Sequence, residues 1–312
     1  MAHPRRFRFG VQLSTAGSGT DWAAAARKAE DLGFSTLFLP DHFGPQLAPV
    51  PAMMAAADAT TDLKVGALVF DNDYKHPVVL AKEMATIDVL SGGRTELGLG
   101  AGWMRTDYEQ SGMPYDRPGV RIDRFEEGLA IIKGLFADGP FSFEGEHYRI
   151  TALDGQPKPV QRPGPPVLIG AGGPRMLGIA AREADIVGVN PSLHTGQIDA
   201  ETASDATAAA YDGKLARLRV AAGDRFDDLE LNCLMFFVAQ TDDPLGFAGN
   251  VAPMFGLSPE EVLDVPLALI GSVDQMCESL EARRERWGLS YFCCQAEAMD
   301  ALAPVIARLA DQ

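Results

Sequence analysis

Asp41 and His42 stand side by side after Pro40, pairing an acid with the side chain best suited to carry protons near neutral pH. That makes an acid/base pair if both face a substrate. The same two residues also suit a purely local arrangement, with Asp41 accepting backbone amides and His42 packed against a loop. A second concentration is the run Ile169, Gly170, Ala171, Gly172, Gly173, Pro174, Arg175. A glycine-rich turn from strand into helix aims free backbone N–H groups and the positive helix end at an anion. Pro174 fits the first helical turn, and Arg175 offers a compensating charge. On spacing alone this is either a phosphate cradle or a tight turn whose glycines permit close packing.

Other chemistries find little support. His3, His42, His76, His147 and His194 are dispersed and form neither H-x-H nor H-E-x-x-H, so no metal site is expected. None of the seven lysines lies inside a strand-like run, which disfavours Schiff-base catalysis. The segment Gly98, Leu99, Gly100, Ala101, Gly102, Trp103 ends a strand without an acid, against a paired-carboxylate glycosidase. Such small strand ends, Gly102 among them, suit close approach of backbone to a large, flat or phosphorylated ligand. Cys233, Cys277, Cys293 and Cys294 lack metal-ligand spacing and are expected as reduced, buried thiols. His76, just before Pro77, is expected to have a local polar role.

Composition sets the frame for these groups. The 312 residues are 46% hydrophobic and 22% charged, ordinary globular usage. With 43 acidic against 27 basic residues the net charge is −16, which repels nucleic acid and anionic membranes. No uncharged run exceeds 16 residues, the length of residues 244–259, which also hold several helix breakers, whereas a membrane span needs about 20. No secretory leader is evident after Arg5, Arg6 and Arg8, and the protein is expected in the cytoplasm.

Short apolar runs alternate with amphipathic segments along the whole chain. Strands are expected at 7–13, 36–39, 65–70, 96–100, 167–170, 186–189, 229–238 and 291–294. Helices are expected at 21–32, 53–60, 78–90, 122–136, 174–183, 202–221, 273–287 and 299–309. Eight such units predict an α/β fold, a TIM (β/α)8 barrel forming one domain over 1–312. Insertions are expected after strands four and seven: a β-hairpin with a proline-rich tail at about 141–165, and short helices covering a site at about 242–265. In such a barrel, active sites sit beyond the C-terminal ends of the strands, where Asp41, His42 and the 170–175 loop all fall.

The motifs FLPDHF (38–43), DNDYKHPVVLAKEMATIDVLSGGRTELGLGAGW (71–103), FSFEGEHY (141–148) and PPVLIGAGGPRMLGIAAREADIVGV (165–189) together resemble the bacterial luciferase-like superfamily of flavin and deazaflavin oxidoreductases. The resemblance covers roughly residues 7–190. It implies a tricyclic ring in the barrel mouth, with its phosphate on Gly170, Ala171, Gly172, Gly173 and Arg175. It also implies a bulge within 67–70, often with a non-prolyl cis peptide, so that Leu68, Val69 and Phe70 back the ring. The chain looks most like the branch that uses coenzyme F-420, in which an aspartate matching Asp41 meets the cofactor and a histidine matching His42 carries the proton. FMN, in a luciferase-like monooxygenase, is the alternative cofactor, and a flavin-binding protein without turnover is a more distant one. Sugar-phosphate dehydrogenases of this branch carry a glutamate where this chain has Trp103, so that substrate is not carried over. The family also implies a homodimer or higher homo-oligomer acting on a small molecule. Arg105, Lys158, Arg162 and Arg175 are the cations considered for the acidic coenzyme.

Overall fold

In the computed structural model, which describes residues 4–310 and 312, thirteen strands follow one another along the chain. They are β1 (Arg8–Gln12), β2 (Thr36–Leu39), β3 (Lys64–Ala67), β4 (Phe70–Asp71), β5 (Thr95–Gly100), β6 (Phe141–Glu144), β7 (Arg149–Leu153), β8 (Val167–Ala171), β9 (Ile186–Val189), β10 (Glu230–Met235), β11 (Phe237–Gln240), β12 (Ala268–Gly271) and β13 (Leu289–Gln295). The main sheet runs β3-β2-β1-β13-β10-β9-β8-β5, and pairing of β3 with β5 closes it. All of these pairings are parallel and helices connect the strands, so the expected eight-stranded TIM barrel forms.

Side chains fill the barrel in layers. At the end where the strands begin, the buried Glu96 takes hydrogen bonds from Arg8 (2.9 Å) and from the Tyr291 hydroxyl (3.2 Å). Arg8 also pairs with Glu230 at 2.8 Å. Above this layer Phe38, Leu168, Ile186, Tyr291 and Cys293 form an apolar plug. Glycines make room for it: a Cβ at Gly66 would lie 2.9 Å from the Phe38 ring, and one at Gly10 would lie 2.7 Å from the Cys293 sulfur. The larger core lies between the outer face of the strands and the helices.

The sequence places several helices closely: Pro174–Glu183, Val273–Trp287 and Met299–Leu309 have the expected bounds. The first helix of the chain, Gly19–Asp31, is capped by Ser18, whose side chain accepts from the Asp21 amide, and ends before Gly33 at φ +86°. Three of the expected elements are broken in the structure. The strand expected at 65–70 breaks at Leu68–Val69, a cis peptide inside the window expected for the bulge, and resumes as β4 beside Leu99 and Gly100. The run 229–238 divides at Phe236, because β11 leaves the barrel to pair with β12. The helix expected at 202–221 is two, Ala200–Ser204 and Ala208–Ala222, since Thr207 caps a new start by accepting from the Ala210 amide.

The hairpin β6–β7 lies between β5 and β8, as its sequence suggested. In the second insertion, Pro244–Phe255 and Pro259–Leu263 form helices that pack on each other. Among the described residues no helix is long and apolar enough to cross a membrane. His3 lies outside the described residues.

Candidate active site

The open end of the barrel, beyond the C-terminal tips of the strands, has an apolar floor. Leu68, Val69 and Leu234 sit half-buried on top of the apolar plug. Two glutamines fix the floor: Gln12 donates to the Leu68 carbonyl at 2.9 Å, and Gln295 donates to the Gln12 side-chain oxygen at 3.1 Å. Val69 leans over glycine tips, since a Cβ at Gly100 would meet it at 2.8 Å and one at Gly170 at 3.4 Å. Phe70 is buried in the core.

Asp41 and His42 turn to different partners at this rim. Asp41 accepts from the Asp71 backbone amide at 3.1 Å, and burial pushes its carboxyl above the ordinary range. His42 Nδ1 lies 2.7 Å from an oxygen of Asp107, a buried carboxylate in the short helix Arg105–Ser111. The Tyr74 hydroxyl donates to the same oxygen at 2.9 Å, and burial with the neighbouring Asp71 and Asp107 keeps that phenol protonated. The Trp103 ring meets the His42 ring edge-on, 5.6 Å between centroids. Asp107 was missed at the level of sequence, and neither it nor its helix gave a signal there.

Beside this group lies a second buried acid. Asp71 accepts from the Asp73 amide at 2.9 Å and from the Tyr108 hydroxyl at 3.0 Å. Burial raises its carboxyl to about 7. Gly102, with φ +74°, packs directly on this pair, and a Cβ there would come within 2.0 Å of the Tyr108 hydroxyl. Its lack of a side chain is therefore explained by packing within the chain. His76 has the local role expected of it, accepting from the Val78 amide as a helix cap.

The glycine-rich loop has the expected form. The helix Pro174–Glu183 starts at Gly173 with no side chain capping it, so its first amides are free of internal partners. A Cβ at Gly173 would meet only the Ser192 hydroxyl, at 3.8 Å, so the helix end faces open space. Gly172 permits a close approach: a Cβ there would lie 2.4 Å from the Pro191 carbonyl oxygen. Behind it, the buried Lys214 donates to the Gly172 carbonyl at 2.8 Å, and Asn190 donates its amide to Ala171.

The four candidate cations separate. Arg175 donates to the Gly119 carbonyl and pairs with Asp123 and Glu126 of the helix Pro118–Phe136, so its charge is already balanced. Arg105 remains near the rim, where its amide donates to Gly196 and its guanidinium to the Thr195 carbonyl. Lys158 and Arg162 belong elsewhere: Lys158 donates to the carbonyls of Leu135 and Ala137, and Arg162 reaches Asp138. Their neighbour Gln161 bonds the Thr95 carbonyl, the first residue of β5, which puts them at the opposite end of the barrel. Among the described residues no group of His, Cys, Asp and Glu side chains could hold a metal ion.

With this geometry in place, the sequence matches the luciferase-like monooxygenase family over residues 5–228. The chain belongs to the bacterial luciferase-like family. Curated members are similar over part of their length. An FMNH(2)-dependent dimethylsulfone monooxygenase of Pseudomonas putida is 30% identical across 65% of this chain and 56% of its own. An F420-dependent glucose-6-phosphate dehydrogenase of Amycolatopsis mediterranei is 30% identical across 53% of this chain and 51% of its own. The coenzyme F420 dependent tetrahydromethanopterin reductase of Methanopyrus kandleri superimposes with a TM-score of 0.77 at 18% identity, covering 98% of each chain, which establishes the shared luciferase-like barrel. The family thus contains F420-dependent oxidoreductases and FMN-dependent monooxygenases, and enzymatic oxidoreduction is its common ground.

Proposed function

We propose that this chain is an oxidoreductase that passes a hydride between coenzyme F-420 and a small organic substrate, with His42 as the proton carrier. The observation that carries the proposal is the imidazole of His42, tethered by a buried carboxylate at the rim of an apolar floor. When bound, a deazaflavin gives or takes hydride and scarcely reacts with oxygen, so the protein must add only orientation and a proton route.

The residues present fit such a group. Leu68 and Val69 would back a flat ring, and the uncapped amides at Gly173 would hold a phosphate. Because the chain carries −16, local donors of this kind must outweigh its general field for an anionic ligand. Arg105 is the candidate cation left at the rim, while Arg175 is engaged by Asp123 and Glu126. Asp41, held by the Asp71 amide, fixes the main chain just before His42.

A second reading, an FMN-dependent monooxygenase, is favoured by the likeness to the dimethylsulfone monooxygenase. Titration of the purified chain with oxidised F-420 and with FMN separates the two. Saturable binding of F-420, with FMN much weaker, supports the proposal. Tight FMN binding with negligible F-420 binding reverses it. The proposal extends to a cytoplasmic homo-oligomer, for which sedimentation velocity gives the size.

A further inference from the structure

We infer that Asp107 is a positioning residue that fixes His42 as the Nδ1–H tautomer, leaving Nε2 as the atom through which the ring exchanges its proton. The inference rests on the reading above in assigning His42 a proton, and it adds the atom and the group that selects it.

Three groups converge on the Asp107 side chain. His42 Nδ1 lies at 2.7 Å and the Tyr74 hydroxyl at 2.9 Å from one oxygen, and the Phe43 backbone amide donates to the other at 3.4 Å. The Phe43 amide is always a donor, and Tyr74 is a protonated phenol here. A side chain receiving both is used as an acceptor on each oxygen, which is what an ionised carboxylate offers and a neutral acid offers less well. The third partner, Nδ1, then completes the set by donating. In a neutral imidazole one nitrogen donates and the other accepts, so Nδ1–H leaves the lone pair on Nε2.

The grip is on more than the ring. Asp107 holds the imidazole of His42 and the main-chain amide of the next residue, while Trp103 abuts the ring from the side. Rotation and flipping of the ring are both opposed. An asparagine at 107 could not reproduce this: with its oxygen on the His42–Tyr74 side its NH2 opposes the Phe43 amide, donor against donor, and with its NH2 on that side His42 Nδ1 must accept, which changes the tautomer. A carboxylate is required by the donor count alone.

The test needs no ligand. The full chain with 15N-labelled histidine is examined by long-range 1H–15N correlation, at a pH where His42 is neutral, with His42→Gln assigning the signal. The inference expects Nδ1 protonated and Nε2 bare in the wild type, and a shift of population towards Nε2–H in Asp107→Asn. An Nε2–H wild type overturns it, and so does a folded Asp107→Asn variant with the tautomer unchanged. Should that variant fail to fold, the wild-type spectrum alone still decides. In turnover with F-420, Asp107→Asn is expected to lower kcat about 10²–10⁴-fold with the coenzyme KM nearly constant, and Asp107→Glu to recover part of the loss. If no deazaflavin or flavin binds, the functional proposal falls while the tautomer assignment stands on its own spectrum.

Discussion

Replacing Asp71 with asparagine should make the protein more stable above neutral pH, and the structure fixes the sign and size. Burial raises the Asp71 carboxyl from 3.8 to about 7, so the native state prefers it protonated while the unfolded chain ionises it freely. A group raised in the folded state contributes fully below its unfolded value and loses that contribution as pH climbs to the folded value. The loss therefore runs from about pH 4 to about pH 7 and then levels off. At about 1.36 kcal/mol per unit, it amounts to about 4 kcal/mol. Asparagine cannot titrate, yet it can still accept from the Asp73 amide and offer its NH2 to the Tyr108 oxygen. Urea unfolding of both proteins at about pH 4, 6 and 8 should show the variant gaining on the wild type by more than about 3 kcal/mol across the series. Comparing the two proteins cancels other titrating groups such as Asp41 and Glu230, whose carboxyls burial also raises. A difference constant within about 1 kcal/mol over that range would refute the assignment of a buried, high-lying carboxyl to Asp71.

Three further outcomes test the site and its frame. His42→Ala should lower turnover about 10²-fold or more with coenzyme affinity roughly kept, as stopped-flow reduction and equilibrium titration would report; unchanged reduction rates would remove His42 from the chemistry. Gly173→Asp should leave thermal stability equal or slightly higher, by a few tenths of a kcal/mol, because it supplies the missing helix cap. The same carboxylate should weaken binding of a phosphate-bearing coenzyme at least about 10-fold, and undiminished affinity would place the phosphate elsewhere. Gly98→Ala should cost about 3 kcal/mol or more in denaturant unfolding, since its Cβ would fall 1.8 Å from the Ala67 carbonyl oxygen, a backbone atom with little freedom to retreat.

The barrel was legible in the sequence because its signals are local. Runs such as Thr36–Leu39 and Ile186–Val189 are short, apolar and bounded by polar segments, and Pro174–Glu183 carries its proline start in sequence. The four residues of β12 carried too little pattern to stand out from an insertion rich in proline and glycine. The site was only half legible, for a related reason. Asp41 and His42 are neighbours in the chain, but Asp107 approaches His42 across 65 residues, on a helix of seven residues that is too short to display periodicity. Lys214 is the same case: within an alanine-rich helix it has the look of a solvated charge, and only the packed loop reveals it buried against Gly172. The break at Leu68–Val69 came from resemblance, since nothing in the run of apolar residues marks where pairing with β5 lapses.

The layered interior has a kinetic corollary. With Glu96 and its ion partners closing one end and Phe38, Leu168 and Tyr291 stacked above them, the cylinder is a vessel with a single mouth. Two reactants that share one doorway must queue. On the proposed chemistry the coenzyme, resting on Leu68 and Val69, enters first and leaves last, so initial-rate patterns should be those of ordered addition.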